Sequence, residues 1–267
     1  MLQKFLDKLT AKWKEGKFVC VGLDSDLSKI PQNLTQFEFN KLIIDQTADL
    51  VCAYKFQSAF YEAEGVDGLK ALKDSINYLA KNYPDIPTIL DAKRGDIGNT
   101  NEAYAKAIFD NLGFDALTVH PYLGGESLQP FLDRIDKGII VLVKTSNPGA
   151  SELQDLNVGS SQLPLYQVVA QKVANDWNKN GNCAVVVGAT YPKELKKVRE
   201  IIGDMPILIP GVGTQGGDVR QTVQAGLNSK REGIIISSSR AIIFADNPRA
   251  ATLKLHEEII QSLKLSF

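Results

Sequence analysis

Eight short apolar runs recur along the chain, and each has the length and composition of a buried β-strand. The runs are continuously apolar and do not alternate with polar residues, which is typical of parallel strands covered on both faces. They lie near Phe18, Val51, Ile89, Leu117, Val141, Val185, Leu208 and Ile235. The pattern therefore predicts eight strands of a parallel sheet.

Segments with the helical period separate these runs, so a crossover helix is predicted between consecutive strands. The helix after the third run is expected to be capped by Asn99, with Glu102 reaching back to it. Its buried stripe is expected to consist of Ala103, Ala107 and Ile108.

Eight β/α units within about 250 residues predict a TIM (β/α)8 barrel, with residues 1–267 forming a single domain. A doubly wound open sheet is the alternative fold. The longest irregular piece, residues 145–164, is predicted to be an active-site loop that follows the fifth strand.

Composition narrows the classes of partner. The chain has 44% hydrophobic and 23% charged residues and a formal net charge of -1. This balance provides neither a basic surface for nucleic acid nor a polybasic patch for a membrane, so small molecules are the expected partners. Since no apolar run approaches the roughly 20 residues needed to span a bilayer, a cytoplasmic location is expected.

Cysteine and histidine usage gives no metal signature. Cys20, Cys52 and Cys183 each lie in an apolar strand-like run without C-x-x-C spacing, which is typical of core side chains in a reducing compartment. The two histidines, His120 and His256, are far apart in the sequence. A tightly bound zinc ion is therefore not expected.

The third run ends in an unusual group of charges, Asp91, Lys93 and Asp96, at the spacing D-x-K-x-x-D. The strand period directs Asp91 and Lys93 to the same side, and Asp96 follows a turn at Gly95. A lysine between carboxylates keeps its proton, which makes it a poor nucleophile and a good proton donor. The spacing favours a carbanion developing beside a fixed ammonium over a Schiff-base aldolase. A structural ion network is the alternative.

Other polar residues stand at the ends of the predicted strands. In a TIM barrel the C-terminal strand ends open onto the loops that form the active site. Any one of these residues could instead cap a helix or extend to solvent, but their convergence predicts one functional mouth. They are Asp24, Lys55, His120, Thr145 and Ser146.

The segments after the seventh and eighth runs, residues 210–218 and 237–242, have the composition of a phosphate site. Loops at these positions commonly hold phosphate in TIM barrels. Their glycines allow backbone N–H groups to approach an anion, and Arg240 can bind its oxygens. A phosphate monoester is therefore the predicted ligand. The glycines are Gly211, Gly213, Gly216 and Gly217.

Together these motifs resemble the orotidine 5′-monophosphate decarboxylase family, and the length of the chain resembles the longer bacterial subgroup. The D-x-K-x-x-D run followed by I-x-x-T is highly specific for that family. The resemblance implies cofactor-independent decarboxylation of orotidine 5′-monophosphate to UMP, the last step of de novo pyrimidine biosynthesis, without a metal. The matching motifs are GLD at Asp24, YKF at Lys55, DAKRGDIGNT at 91–100, TSNPG at Ser146, PGVGTQGGD at Gln215 and SSSRAIIFADNP at Arg240.

The resemblance also implies roles for the matched residues in catalysis. Lys93 would protonate C6 of the pyrimidine as CO2 leaves, and Asp91 would lie beside the substrate carboxylate. Asp96 would complete the charge array from the partner subunit of a homodimer, and Thr100, also from the partner, would contact the ribose. Lys55 would extend the charge network.

Substrate-binding roles follow from the same resemblance. Lys55 and Asp24 would hold the ribose hydroxyls, and Ser146 would read the pyrimidine edge, with Thr145 or Asn147 as alternatives. The residues implied to bind the substrate are Asp24, Lys55, Thr100, Ser146, Gly213, Gln215 and Arg240. Gly213, Gln215 and Arg240 would bind its phosphate.

Two other functions remain open at this point. A keto-sugar-phosphate decarboxylase of the same barrel suite shares the D-x-K-x-x-D spacing, but it uses magnesium and an acidic residue on strand two, where Lys55 stands. A barrel that binds nucleotides without turnover is the non-enzymatic alternative, although such a protein has no need of a lysine between carboxylates.

Overall fold

The computed structural model describes residues 4–212 and 217–265. The eight apolar runs form eight parallel strands that close into a barrel, so the predicted TIM fold is confirmed and the open sheet is wrong. Each strand pairs with the next along the chain, and β1 pairs with β8 to close the ring. The strands are β1 Val19–Leu23, β2 Val51–Gln57, β3 Thr88–Arg94, β4 Ala116–Val119, β5 Gly138–Lys144, β6 Cys183–Val187, β7 Ile207–Pro210 and β8 Ile234–Ser238.

Helices surround the barrel, and the hydrophobic core extends from its interior into the layer between strands and helices. Two helices continue as π-helical turns, α5 over Lys106–Leu112 and α8 over Val173–Trp177. Within the described ranges, no helix has the length and apolar character needed to cross a membrane. The α-helices are α1 Phe5–Lys14, α2 Gln36–Thr47, α3 Ser58–Glu62, α4 Gly65–Asn82, α5 Gly98–Ala105, α6 Gly124–Leu132, α7 Ser151–Gln154, α8 Leu165–Lys172, α9 Pro192–Ile202, α10 Val219–Gly226, α11 Arg240–Ile243 and α12 Pro248–Lys264.

Helix α1 covers the end of the barrel where the strands begin. The ring of Phe5 packs so closely on Gly138, at the start of β5, that no room is left there for a Cβ. The indole nitrogen of Trp13 donates to the carbonyl of Ile234 at 2.9 Å. Because this end is covered, the C-terminal ends of the strands form the open end of the barrel.

A buried polar network fixes the loop that follows β1. Asn40 of α2 accepts a hydrogen bond from the hydroxyl of Ser25 and donates to the hydroxyl of Tyr61 at 3.0 Å. Tyr61 in turn donates to the carbonyl of Leu23 at 2.8 Å. These side chains are buried, so the network anchors the strand end that carries Asp24 to α2 and α3.

The start of α5 differs from the sequence-based expectation. Asn99 and Glu102 form no cap, and the N-cap residue is Ile97, which has no side-chain capping bond. Instead, Oδ1 of Asn101 accepts from the backbone N–H of Asp96 at 3.0 Å, and its Nδ2 donates to the carbonyl of Asp96 at 2.5 Å. Nδ2 also donates to the carbonyl of Ser127 in α6 at 2.6 Å, so the Asn101 side chain stabilises the turn in place of the expected cap.

The predicted buried stripe of α5 is also partly wrong. Ile108 is buried as expected, but Ala103 and Ala107 are exposed, and Ala105 and Phe109 take their places in the core. The π-helical turns that begin at residue 106 have a wider turn than an α-helix, so a regular 3.6-residue period does not describe the buried face.

Candidate active site

A cavity of about 530 Å³ opens at the C-terminal ends of the strands. It lies where the predicted functional mouth was expected, and the strand ends and the loops after β5, β7 and β8 form its walls. The predicted residues that line it are Asp24, Lys55, Asp91, Lys93, Thr145, Ser146, Asn147, Gly211 and Arg240.

Four of these side chains form a row of alternating charge across β1, β2 and β3. The ammonium of Lys55 lies 3.4 Å from Asp24 and 3.2 Å from Oδ2 of Asp91. The other oxygen of Asp91, Oδ1, accepts from the ammonium of Lys93 at 2.7 Å. Each inner charge therefore has an opposite charge on both sides.

The row keeps its inner members ionised. Burial alone would lower the pKa of Lys55, but the carboxylates of Asp24 and Asp91 outweigh burial and raise it above its usual range. Burial likewise would raise the pKa of Asp91, yet Lys55 and Lys93, with hydrogen bonds from Lys93 and Thr118, lower it to about 2. At neutral pH Asp91 is therefore a carboxylate.

The strand that carries Asp91 and Lys93 is irregular at this point. Leu90 and Arg94 of β3 pair with Leu117 and Val119 of β4, so three residues of β3 face one residue of β4. Lys93 has a left-handed backbone with φ of 48°, which is uncommon for a residue other than glycine. Asp91 and Lys93 lie on one side as expected, but a bulge and not regular alternation brings them there.

Two residues that contact Asp91 were not predicted from the sequence. Thr118, the β4 residue that faces the bulge, donates from Oγ1 to Oδ1 of Asp91 at 2.8 Å and accepts from the backbone N–H of Lys93 at 3.0 Å. Gln57 donates from Nε2 to Oδ2 of Asp91 at 3.4 Å. The available signal was a polar side chain inside or at the end of an otherwise apolar run.

Four candidates among the described residues lie outside this lining: Asp96, Thr100, His120 and Gly217. Asp96 turns its carboxylate back onto the N–H of Ile97 at 2.7 Å, and Thr100 lies in the first turn of α5. The His120 ring packs against Gly95, where a Cβ would lie 2.6 Å from Nε2. The predicted phosphate-loop residues Gly213, Gln215 and Gly216 fall outside the described residues.

The predicted active-site loop after β5 has structure of its own. It contains a 3-10 turn, Pro148–Ala150, then α7, then a two-residue antiparallel hairpin of Asn157–Val158 with Leu163–Pro164. Gln154 at the end of α7 also lines the cavity. Its amide accepts from the N–H of Thr145 at 2.9 Å and donates to the Thr145 hydroxyl at 2.8 Å.

The buried side chain of Lys144 anchors the loop that follows β5. The side chain of Lys144, at the end of β5, is 0% exposed, and its ammonium lies 2.6 Å from Asp155, the residue after α7. It also lies 4.6 Å from the centre of the Tyr191 ring. Because a buried cation needs a partner, this pair ties α7 to the strand end.

The wall formed by β7 and β8 carries two of the predicted phosphate residues, Gly211 and Arg240. Gly211 follows β7 with a left-handed φ of 98°, a conformation that glycine adopts without strain. Arg240 begins α11 directly after Ser239, and both line the cavity with Ser237 and Ser238. An arginine beside hydroxyls and a glycine backbone is a suitable environment for a phosphate.

The carboxylates of the charge row, Asp24 and Asp91, are paired with lysines. Across residues 4–212 and 217–265, His, Cys, Asp and Glu side chains form no group of three arranged to hold a metal ion.

Comparisons with known proteins identify the same family that the sequence motifs resemble. The family model described as the orotidine 5′-phosphate decarboxylase / HUMPS family matches residues 17–255. A relative named orotidine 5′-phosphate decarboxylase, from Janthinobacterium sp. (strain Marseille), is 52% identical over 248 residues, which cover 90% of this chain and 90% of the relative.

Solved structures show the same likeness. The OMP decarboxylase of Leishmania donovani is 39% identical with a TM-score of 0.89, and the match covers 98% of this chain and 99% of that one. The UMP synthase of the same organism is 41% identical with a TM-score of 0.89. This chain spans 57% of the length of that UMP synthase.

Proposed function

The chain belongs to the orotidine 5′-phosphate decarboxylase / HUMPS family, and from this membership we propose that it decarboxylates orotidine 5′-monophosphate to UMP, the last step of de novo pyrimidine biosynthesis. The single observation that carries the proposal is the ion pair of Lys93 with Asp91, at 2.7 Å, in a cavity that also contains Arg240. A proton donor and a phosphate-binding cation thus share one site.

The chemistry requires few groups. The bond between C6 of the pyrimidine and its carboxylate breaks, CO2 leaves, and the electron pair remains on C6. The ammonium of Lys93 stabilises this developing negative charge and then transfers a proton to C6, which gives UMP, and solvent reprotonates the amine. The side chain of Lys93 is 45% exposed, so solvent reaches it.

The remaining lining residues bind the substrate in this proposal. Lys55 and Asp24 hold the ribose hydroxyls, and Ser146 reads the pyrimidine edge, with Thr145 or Asn147 as alternatives. The phosphate is bound by Arg240 with Gly213 and Gln215. Binding energy from this phosphate, which is remote from C6, is then available to stabilise the transition state.

We further propose a homodimer in which Asp96 and Thr100 act in the partner's site. Three exposed apolar residues adjoin the start of α5 and of α6: Ile97 is 61%, Tyr122 84% and Leu123 46% exposed. Apolar side chains grouped in this way favour an interface, and it would adjoin Asp96. A cytoplasmic location is also proposed, supported by three buried cysteines that form no disulfide.

The geometry disfavours the magnesium-dependent alternative. A divalent cation bound by Asp24 and Asp91 would occupy the space between them, and the ammonium of Lys55 is within 3.4 Å of both. Lys55 therefore neutralises the carboxylates that such an ion would need. The alternative of binding without turnover leaves the alternating charge row without a function.

One ultraviolet assay tests the proposal. The protein, treated with EDTA and exchanged into metal-free buffer, is mixed with orotidine 5′-monophosphate, and the loss of substrate absorbance is followed with and without added magnesium. Equal turnover in both buffers is the expected result. Turnover of orotidine 5′-monophosphate that requires magnesium would contradict the metal-independent reaction. No turnover of this substrate, together with magnesium-dependent decarboxylation of a keto-sugar phosphate, would favour the keto-sugar-phosphate class, and UMP binding without turnover would favour a binding protein.

A further inference from the structure

The hydroxyl of Thr118 bonds to both members of the Asp91–Lys93 pair and belongs to neither. We propose that Thr118 is a positioning residue, which holds the β3 bulge and thereby places the ammonium of Lys93 for proton transfer. The inference rests on the proposed function, because Lys93 is the proton donor only in that reaction. Thr118 itself is 1% exposed and does not line the cavity.

The bulge creates the need for such a residue. Three residues of β3 occupy the space opposite a single residue of β4, so the regular ladder is interrupted between Leu90 and Arg94. A backbone N–H within an interrupted ladder loses its usual carbonyl partner, and leaving it unpaired is costly. The hydroxyl of Thr118, at 3.0 Å, takes the place of that carbonyl for the N–H of Lys93.

The hydrogen bond from the N–H of Lys93 to Thr118 also stabilises a strained backbone conformation. Lys93 has a φ of 48°, and a left-handed conformation in a residue with a Cβ persists only where surrounding contacts hold it. The N–H bond to Thr118 acts at the strained residue itself. Without this hydrogen bond, the backbone of Lys93 is free to return towards an extended conformation, which would move its side chain away from Asp91 and the cavity.

The proton of the hydroxyl makes the second bond. It is donated to Oδ1 of Asp91, the same oxygen that accepts from the ammonium of Lys93. The other oxygen, Oδ2, is held by Lys55 at 3.2 Å and Gln57 at 3.4 Å. Thr118 therefore fixes the carboxylate oxygen against which Lys93 is oriented.

The consequence for the reaction is specific. Thr118 controls where the ammonium of Lys93 stands, whereas Arg240 and the loops after β5 and β7 control how ribose phosphate and base are bound. Since a misplacement of the order of 1 Å costs about 10²-fold in rate, loss of the hydroxyl should lower kcat by roughly ten- to a hundredfold. Affinity for UMP, which carries no carboxylate, should change less than about threefold.

The test uses two substitutions that separate the hydroxyl from the shape of the side chain. Thr118→Val keeps the size and β-branching and removes both hydrogen bonds, whereas Thr118→Ser keeps the hydroxyl and removes a methyl group. We expect the kcat loss in Thr118→Val with UMP affinity retained, and near-wild-type kcat in Thr118→Ser. Calorimetric titration with UMP confirms that each variant has folded sites.

A matched control comes from α12. Thr252 is fully buried and donates to the carbonyl of Pro248 at 2.8 Å, away from the cavity. Thr252→Val removes an equivalent buried hydroxyl, and its kcat should equal that of the wild type. If Thr118→Val does not fold, Thr118→Ala compared with Thr118→Ser isolates the hydroxyl at equal loss of the methyl group.

The outcomes separate this inference from the proposed function. Full kcat in a folded Thr118→Val, or a Thr118→Ser variant as slow as Thr118→Val, would overturn the positioning role while the decarboxylase assignment stands. A wild-type protein that does not convert orotidine 5′-monophosphate would overturn both. A low kcat that only the serine variant restores would support the positioning role.

Discussion

The ammonium of Lys93 contacts Asp91 at 2.7 Å, yet the lysine side chain is 45% exposed and the aspartate side chain only 13%. The lysine side chain is therefore less restrained by its surroundings than the aspartate side chain. Asp91 is held from the opposite side by Lys55, whereas Lys93 reaches out of the strand bulge into the cavity. A fixed carboxylate beside an accessible ammonium suits a group that has to give up a proton and recover it.

Replacing Lys93 tests the assignment of the proton donor. Lys93→Ala should lower kcat by at least about 10²- to 10³-fold, because the lost cation acts where charge develops, and UMP should still bind. Ultraviolet absorbance assays measure kcat, and titration with UMP measures binding. The control is Lys70→Ala, which removes an exposed lysine paired with Asp74 at 2.6 Å. Near-normal turnover of Lys93→Ala would reject the assignment.

Asp91 should make stability depend on pH in the acid range. Its pKa is lowered from 3.8 to about 2, so the stabilisation is complete above about pH 4 and is lost as the pH falls through about 2. The shift corresponds to roughly 2 kcal/mol, of which roughly 1 kcal/mol is gone by pH 3. Urea unfolding of the wild type and Asp91→Asn should therefore differ less at pH 3 than at pH 6. A constant difference would contradict the ionised carboxylate.

Replacing Arg240 tests the proposed phosphate site between β7 and β8. Arg240→Ala should weaken UMP binding by up to about 3 kcal/mol, the range for one charge-assisted contact, and should slow turnover if phosphate binding contributes to the transition state. Added phosphite dianion should restore part of the rate with a substrate that lacks the phosphate. Arg249→Ala, which removes an exposed arginine paired with Asp49, is the matched control. Unchanged UMP affinity in Arg240→Ala would mean that the phosphate lies elsewhere.

Gln154 offers a test of the loop after β5, which we propose contacts the pyrimidine base. Its amide bonds Thr145 twice, so Gln154→Ala should loosen the segment that carries Ser146 and weaken UMP binding by roughly 1 to 2 kcal/mol. Ribose 5-phosphate, which has no base, should bind with unchanged affinity. Glu152→Ala alters an exposed side chain of the same short helix and serves as the control. An equal loss for both ligands would argue for general disorder and against base recognition.

The strands were predictable because both faces of a barrel strand are buried, and a continuous apolar run as short as GIIVLVK of β5 is typical of a strand covered on both sides. The charge row was predictable in part, since its members stand at strand ends. The bulge at Lys93 was not, because it depends on how β3 pairs with β4 and on the hydroxyl of Thr118. Nor was the Asn101 turn, whose bonds to Asp96 replace the expected cap. The bulge arises from the pairing of two strands, and the Asn101 side chain is also held by the carbonyl of Ser127 in α6, so neither feature has a signature in its own segment alone.

The proposed contribution of Asp96 to the partner's site makes a prediction about mixed dimers. In this structure the carboxylate of Asp96 bonds the N–H of Ile97 at 2.7 Å and does not line the cavity that holds Lys93. In a two-fold dimer with shared sites, each site takes Lys93 from one chain and Asp96 from the other. Lys93→Ala and Asp96→Ala should then each be nearly inactive when assayed alone.

Mixing the two inactive variants should restore activity if subunits exchange. In a heterodimer of Lys93→Ala with Asp96→Ala, one site carries both lesions and the other carries neither. Random pairing of equal amounts makes about half of the dimers mixed, so roughly a quarter of all sites become wild type. Native mass spectrometry measures the exchange, and the absorbance assay measures the recovered rate. Verified exchange with no gain in activity would show that Asp96 serves its own chain, whereas recovery towards a quarter of the wild-type rate requires Asp96 to act across the interface.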